Sequence, residues 1–378
     1  MLVFLRSFNR ASSPQRSVGG NPVLSRSVTK SLGLLKQRPR DATVRRGNGV
    51  LELGVEAKVN MTVTLKRIAA TRAALLLLLG LIPAALGAQV PKMNMVKIAD
   101  DVYTMVEAGG SSNSTFIITS DGVVVFDHYI TESDQTLAAI RKLTDKKVKY
   151  LFSSHPAADH STGAWWFRED HPVYIASKNQ LRDMLGERGR IYKELQESKD
   201  PRDAVYKGKD LILPDLVFEK SMTLRLGGLT FEATMEGAAH STGDVTLYIP
   251  QKRVFLMGDL LNSDMHAGGG SLVPGEGSDP EMWIKVLGNI MDRRLPVDTY
   301  VPGHGPVHLG RGAKDLEEAQ RYFLAMRDAV ATMMSQGKSL DQIIKEFKVP
   351  SEFAHYTHPE RLQTTLPLYY WELAGIDR

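Results

Sequence analysis

The chain has 378 residues, no cysteine and a formal net charge of +4 at pH 7, with a sequence pI near 9.0. The absence of cysteine excludes a disulfide framework. Residues 1–60 carry eleven Lys or Arg and three Asp or Glu, and residues 61–88 add three basic residues and no acid, so residues 89–378 have a net charge of −7. The excess of positive charge therefore lies in residues 1–88, the leader, and a nucleic-acid partner is not expected for the rest of the chain.

The leader has the form of an export signal. From Met61 it shows a basic start, an apolar run from Ala73 to Ile82 and small residues at Ala85–Ala88. This predicts a signal peptide over 61–88 and a periplasmic or secreted protein. Residues 1–60 are then interpreted as a disordered or untranslated extension.

Two other interpretations of the leader fit less well. An organelle transit peptide would fit residues 1–46 but not the apolar segment behind them. An uncleaved membrane anchor would need about 20 apolar residues, and the run from Ala73 to Ile82 is shorter. We therefore expect no stable membrane insertion once the signal is removed.

Residues 89–378 alternate strand clusters with helices in two successive rounds. In the first round we predict strands at 102–108, 114–120, 123–127, 148–154 and 173–177, a helix at 132–144 and a charged helical stretch from Lys178 into the 190s. In the second we predict strands at 216–226, 229–237, 245–250, 254–259 and 299–304, and helices at 279–293 and 314–335.

This order of elements predicts a four-layer αββα fold, with two β-sheets face to face and helices outside. The tetrapeptide HSTG, at 160–163 and again at 240–243, supports the division into two rounds. We assign residues 89–312 to the main domain and residues 313–378 to a C-terminal helical part packed on it.

Histidine and aspartate side chains stand where the predicted strands end. Loops at strand ends, held by a rigid scaffold, are where binding and catalytic groups concentrate. Imidazole nitrogens and carboxylate oxygens suit zinc, and less often iron or manganese. The candidate metal ligands are His155, Asp159, His160, His240, Asp259 and His304.

The order of these motifs resembles that of the metallo-β-lactamase superfamily of αββα hydrolases. The matching motifs are H-x-x-x-D-H, G-x-x-H-S-T-G-D, G-D and P-G-H-G-P, and the resemblance covers residues 96–310. It is strongest to an exported branch described as cyclase-like or quinoprotein-associated. The family's first loop reads H-x-H-x-D-H, whereas Ala157 stands here at the second histidine.

The resemblance implies which residues hold which ion. One zinc would take His155 and His240, with Ala157 in place of the third ligand. The other would take Asp159, His160 and His304, and Asp259 would bridge the two. Three protein ligands and a water can hold a catalytic zinc, so both a two-metal and a one-metal enzyme remain open.

Three residues have further predicted roles. His128, at the end of a predicted strand, is a candidate to fill the gap at Ala157 or to contact substrate, and His266 is a candidate to face substrate. Asp159 is the candidate catalytic residue, because it can accept a hydrogen bond from the nucleophile as well as bind metal.

The resemblance implies an exported zinc-dependent hydrolase of a small molecule, in which a metal-bound hydroxide opens an ester or lactone. Hydrolysis of a β-lactam is the second hypothesis. A non-catalytic periplasmic accessory protein that binds a metal or ligand is the third. The sequence predicts no oligomeric state.

Overall fold

The computed structural model describes residues 92–107, 109–268 and 278–376. The predicted extension (1–60) and signal peptide (61–88) lie outside these described residues. Within the described ranges, no helix is both long and apolar enough to cross a membrane.

The first sheet has seven strands in the order of the chain. Strands β1 to β4 are antiparallel, whereas β4 to β7 are parallel. The strands are β1 (Met93–Ala99), β2 (Val102–Glu107), β3 (Ser114–Ile118), β4 (Val123–Phe126), β5 (Val148–Phe152), β6 (Val173–Ser177) and β7 (Leu216–Phe218).

The second sheet has five strands in the order β12-β11-β10-β9-β8. All neighbours are antiparallel except β11 and β12, which are parallel. The strands are β8 (Ser221–Leu226), β9 (Leu229–Gly237), β10 (Asp244–Ile249), β11 (Val254–Leu256) and β12 (Thr299–Val301).

The helices are mostly those expected from sequence. They are α1 (Ser133–Leu143), α2 (Ala158–Ser161), α3 (Lys178–Leu185), α4 (Glu187–Glu197), α5 (Pro280–Asp292), α6 (Lys314–Ser335), α7 (Leu340–Glu346) and α8 (Leu362–Leu373). The charged stretch from Lys178 is divided at Gly186, whose backbone (φ −99°, ψ −120°) is not helical.

Alternate side chains of each strand enter different layers, because successive residues of a strand point to opposite faces. Val124 and Phe126 of β4 pack in a core shared with Val245 and Leu247 of β10, so this core lies between the sheets. Val123 and Val125 pack instead with α1. The outer face of the second sheet is covered by α5, α6 and α8. The four-layer αββα prediction is confirmed.

One predicted element is wrong in an informative way. The run 216–226 is not a single strand, because β7 pairs with β6 in the first sheet and β8 pairs with β9 in the second. Glu219 and Lys220 carry the chain from one sheet to the other. Strand β1 has no counterpart in the sequence prediction. It lies at the sheet edge, and six of its seven side chains, those of residues 94–99, are partly or fully exposed, so it lacks a strong apolar pattern.

Candidate metal centre

The structure brings all six predicted ligands together at one end of the two sheets. His155 follows β5, α2 carries Asp159 and His160, and His240 lies between β9 and β10. Asp259 follows β11 and His304 follows β12. All except Asp159 are buried, so their polar atoms are withheld from bulk water.

Four of these side chains, the four-ligand set, surround one point. Asp159 Oδ2 lies 3.4 Å from His160 Nε2 and 3.3 Å from His304 Nε2, and the two imidazole atoms are 3.3 Å apart. Asp259 Oδ2 is 3.3 Å from His304 Nε2, and its Oδ1 is 3.1 Å from His160 Nε2. A tetrahedral zinc with bonds of about 2.0–2.1 Å holds its ligand atoms roughly 3.3–3.4 Å apart. The three spacings among Asp159, His160 and His304 therefore fit such an ion, and Asp259 directs one carboxylate oxygen to each of the two imidazoles.

The other half, the three-ligand set, is more open. It consists of His155, His240 and the shared Asp259, whose ligand atoms all lie within 4.8 Å of one another. Asp259 Oδ2 is 3.9 Å from His155 Nε2 and 3.5 Å from His240 Nε2. Within the described part of the chain, His155 Nε2 makes no hydrogen bond. A buried polar atom without a partner is costly, and a cation would satisfy it.

Hydrogen bonds to the other ring nitrogen orient the histidines. His160 Nδ1 lies 2.9 Å from Asp127 Oδ2, and His304 Nδ1 donates to the Gly110 carbonyl at 2.9 Å. Ser154 Oγ lies 2.9 Å from His155 Nδ1. Such contacts fix the imidazole so that Nε2 presents its lone pair to a metal.

Glycines allow the loops to approach the ligands. A Cβ at Gly303 would stand 2.2 Å from Asp259 Oδ1, so no larger residue fits there without moving the ligand. Gly258, with φ +52°, combines a left-handed backbone with a Cβ position 2.3 Å from Ser154 Cβ.

Buried charges give the histidines of the four-ligand set and those of the three-ligand set different pKa shifts. Burial opposes a charged ring, yet the Asp259 and Asp159 carboxylates raise the pKa of His304 to about 9 and the pKa of His160 well above its usual value. Burial and the neighbouring His160 lower the pKa of His155 well below its usual range. The four-ligand set thus attracts positive charge most strongly, and a bound cation would displace the protons held there.

His128 and His266 lie away from the ligand atoms. His128 is fully buried behind the first ligand loop, edge-on to Tyr174, and burial lowers its pKa to about 3. His266 is buried, and its Nδ1 lies 2.9 Å from the Tyr322 hydroxyl. Its carbonyl accepts a hydrogen bond from Arg361 Nη1 at 3.3 Å. Among the described residues, neither histidine lines the cavity at the metal centre.

A cavity of about 440 Å³ opens onto the ligands. Five of the six ligands line it, His160 being the exception. Among the described residues, the rest of its wall consists of Ala157, Arg188, Gly268, Arg361 and Thr364. The two arginines were missed by sequence reasoning. They lie on α4 and just before α8, where no motif marks them.

Two acidic residues beside the centre were also missed. Asp127 is buried, and its carboxylate accepts from Ser154 N at 2.6 Å as well as contacting His160. Since it directly follows β4, the strand-end rule could have identified it. Glu132 is 2% exposed and accepts a hydrogen bond from Ser111 Oγ. Burial raises the pKa of Glu132 to about 7.

Comparisons with known proteins agree with this architecture. Residues 108–309 match the sequence profile of the Metallo-beta-lactamase superfamily. The chain is 22% identical over 271 residues to a linear primary-alkylsulfatase of a Pseudomonas species, covering 63% of this chain but only 50% of that enzyme. It is 22% identical over 223 residues to a type 2 metallo-beta-lactamase of Bacteroides fragilis, covering 56% and 79% respectively. The solved structure of an inverting sec-alkylsulfatase from Pseudomonas shares the fold, with a TM-score of 0.57 and 15% identity over 75% of this chain and 50% of that one.

Proposed function

Because the chain belongs to the metallo-beta-lactamase superfamily, we propose that it is a zinc-dependent hydrolase that cleaves an ester bond in a small anionic molecule. The observation that carries this proposal is the cavity, where Arg188 and Arg361 face the same space as the metal ligands. Guanidinium groups favour carboxylate, sulfate and phosphate groups, which they bind through paired hydrogen bonds.

The named relatives support an ester. A linear primary-alkylsulfatase acts, by its name, on sulfate esters, which are both esters and anions. The chain spans half the length of that relative, so its activity is proposed here and not transferred. The superfamily's hydrolytic chemistry extends to β-lactams in the relative from Bacteroides fragilis, and lactam hydrolysis is therefore the second candidate.

The residues of this chain would have different roles in the proposed hydrolysis. Zinc held by the two ligand sets would supply a Lewis acid and a hydroxide nucleophile at neutral pH. Asp159, one-third exposed to the cavity, can accept a hydrogen bond from that nucleophile and so orient it. Arg188 and Arg361 offset the negative charge of the substrate. Asp127 keeps the His160 ring in the orientation that a metal requires.

We also propose that the protein works outside the cytoplasm, in the periplasm or after secretion. This proposal is supported by the basic, apolar and small-residue segments that follow Met61 in the sequence.

The experiment is a hydrolysis screen of protein produced from Gln89, loaded with zinc and checked for metal content. The panel contains an alkyl sulfate, a neutral carboxylic ester, a lactone and a β-lactam at pH 7.5. We expect the anionic ester to have the highest kcat/KM, and a His304→Ala variant to lose activity and to bind less zinc. Turnover of the β-lactam alone would favour the second candidate. A zinc-loaded protein that hydrolyses no ester or lactam would contradict the proposal and favour the non-catalytic accessory role.

A further inference from the structure

A charged cluster outside the metal centre joins the loop after β11 to the start of α6. Its carboxylates are Asp264 in that loop and Asp315 and Glu318 on α6, and its basic side chains are His308 and Arg311 just before α6. None of them is a candidate metal ligand. Three carboxylates face one guanidinium, so the charge of the cluster depends on whether the imidazole carries a second proton.

The ring of His308 lies between the two sides of this cluster. Its Nε2 is 3.1 Å from Asp264 Oδ2, and its Nδ1 is 3.2 Å from Arg311 Nη1 and 3.5 Å from Asp315 Oδ1. The side chain of Asp315 is buried, whereas that of His308 is 24% exposed. Water therefore reaches the imidazole, and its protonation can follow the pH of the medium.

Two groups of opposite kind compete for Nδ1 of His308. A guanidinium is always protonated and only donates hydrogen bonds, so the contact with Arg311 requires a neutral ring whose Nδ1 accepts. The single ring proton then lies on Nε2, which donates to Asp264. A doubly protonated ring donates from both nitrogens, so its Nδ1 must leave Arg311 and donate to Asp315. Protonation thus exchanges the partner of Nδ1.

The neighbouring carboxylates favour the second proton. The hydrogen bond to Asp315 raises the pKa of His308 above its ordinary value, burial opposes this rise, and the charge of Asp264 adds to it. Arg311 has partners of its own that do not involve the imidazole. Its Nε lies 3.2 Å from Asp315 Oδ1, and its Nη2 donates to Glu318 Oε2 at 2.7 Å.

Two further titratable groups face the same carboxylates. The Tyr356 hydroxyl donates to Glu318 Oε1 at 3.1 Å. A ring nitrogen of the exposed His355 lies within 4.8 Å of a carboxylate oxygen of Asp264 and of Glu318. Any experiment on the cluster must therefore distinguish His308 from His355.

The loop that carries Asp264 leads from the metal centre to the cavity wall. Ser263 N donates to the His304 carbonyl at 3.0 Å, and Gly268 lines the cavity at the ligands. The side chain of Asp264 reaches α6 through His308. The strength of the contacts at His308 should therefore affect how firmly residues 263–268 are held.

We propose that His308 is a pH-dependent clasp between residues 263–268 and α6. When the ring is doubly protonated, it joins Asp264 to Asp315 through two charge-assisted hydrogen bonds. When Nδ1 loses its proton, Arg311 replaces Asp315 as its partner and a neutral ring holds the loop. The stabilisation is fully present below about pH 6.5, the ordinary pKa of histidine, and is lost as the pH rises through the raised pKa of His308. This role of His308 is independent of the hydrolysis proposed above.

The first test follows the ring nitrogens of His308 by NMR between pH 5.5 and pH 9, in zinc-loaded protein labelled with nitrogen-15 histidine. The signals of His308 are identified by their absence from His308→Gln. We expect both nitrogens to be protonated at low pH and Nδ1 alone to lose its proton at high pH. A neutral ring that keeps its proton on Nδ1 would overturn the exchange of partners.

Variants show whether Asp315 is the partner of the protonated ring. Asp315→Asn should lower the measured pKa of His308 by about 1, the usual effect of removing one neighbouring opposite charge. His355→Gln is the matched control and should leave that pKa unchanged. A pKa of His308 that is the same in Asp315→Asn and in the unmodified protein would contradict the proposal.

The second test measures hydrogen exchange of the backbone amides of residues 263–268 at pH 6 and pH 8.5, corrected for the intrinsic pH dependence of exchange. We expect protection to fall about 2- to 5-fold at the higher pH, the scale of a partly exposed ion pair. The fall should be smaller in His308→Gln and unchanged in His355→Gln. An equal fall in His308→Gln and in the unmodified protein would show that His308 titrates without holding the loop, and the clasp would be wrong.

Discussion

Asp127 shows how one side chain outside the ligand set controls it. Its backbone has a positive φ of 62°, which turns the chain sharply after β4. One carboxylate oxygen accepts from Ser154 N and the other lies 2.9 Å from His160 Nδ1. The residue thereby ties the loop before His155 to the ring of His160, and metal affinity should depend on it.

We predict that Asp127→Asn lowers zinc affinity about 10- to 100-fold, the usual cost of losing such a supporting group. An amide cannot accept from both Ser154 and His160, so one of the two contacts is lost. Competition with a chromogenic chelator measures the change. Asp134→Asn, an exposed site on α1, is the control, and equal affinities for both variants would contradict the prediction.

Glu132 gives a pH-dependent prediction. Its pKa is raised from the ordinary 4.5 to about 7, chiefly by burial, so the folded protein holds the proton more tightly than the unfolded chain. Stability from this group is therefore present below about pH 4.5 and is lost as the pH rises through 7. Glu132→Gln removes that loss while keeping an acceptor for Ser111.

The expected result is that Glu132→Gln gains stability relative to the unmodified protein between pH 5 and pH 8, by up to about 3 kcal/mol. Urea denaturation at both pH values, with a chelator present, measures the difference in the free energy of unfolding. A difference that does not change with pH would show that the carboxyl is not buried in this way.

At the residue scale, site residues could be predicted best where a histidine or aspartate closely follows a predicted strand. The six candidate ligands could be proposed from sequence because each follows a recognisable strand or lies in the loop or short helix directly after one. Arg188 and Arg361 could not, because an arginine on a helix is usually solvent-exposed and only the tertiary fold brings these two into the cavity. His128 has the right position in the sequence, but its ring turns into the core beside Tyr174.

At the scale of elements, α5 links the outer helical layer to the centre. Trp283 is 2% exposed, and its Nε1 donates to the Leu260 carbonyl at 3.0 Å, one residue beyond Asp259. Its ring lies 5.4 Å from that of His240 and 4.5 Å from that of Phe323 on α6. The indole of Trp283 therefore contacts His240 and the backbone next to Asp259, which are two of the three residues in the three-ligand set.

We predict that Trp283→Ala lowers the free energy of unfolding by about 3–5 kcal/mol, since it leaves a large cavity, and also reduces zinc bound per chain. Trp283→Phe keeps most of the packing but loses the hydrogen bond to Leu260, so its cost should be smaller. Chemical denaturation and elemental analysis measure the two effects. Full zinc content in a folded Trp283→Ala protein would contradict the link between α5 and the ligands.

Element boundaries were predicted well where the apolar pattern alone decides them. Helix α6 begins and ends at the predicted residues, because its apolar positions repeat at helical spacing. The run 216–226 was predicted as one strand because β-forming residues continue across Glu219 and Lys220. Which sheet a strand joins depends on its pairing partners, and a single run of residues does not contain that information.

At the scale of the whole molecule, a metal bound at this centre would join parts that are distant in sequence. His155, Asp159 and His160 come from the first sheet's loops, whereas His240, Asp259 and His304 come from the second's. Metal that binds only the folded chain stabilises it by about 4 kcal/mol at a thousandfold excess over Kd. We predict that a chelator lowers the melting temperature, and that His304→Ala makes this difference smaller, because it removes one ligand of the four-ligand set. Calorimetry of zinc-loaded and chelated protein measures it, and identical melting temperatures would count against a metal shared between the sheets.

Export is the second prediction at this scale. Expressed in full in a bacterial host, the protein should appear in the periplasmic fraction or the medium with an N-terminus near Gln89, because the small residues at Ala85–Ala88 suit signal cleavage. Cell fractionation and N-terminal sequencing test this. Replacing Leu76 and Leu77 with charged residues should retain the protein in the cytoplasm, and export of that variant would contradict the prediction.

The passage from β7 to β8 has a consequence for how the molecule could be divided. A break between Glu219 and Lys220 would give two fragments, each with one sheet and three of the six ligands. Neither fragment alone contains the four-ligand set, which draws Asp159 and His160 from one and Asp259 and His304 from the other. Zinc would then be retained only where both fragments have reassociated. Zinc content would therefore measure how much of the protein has reassembled from the two fragments.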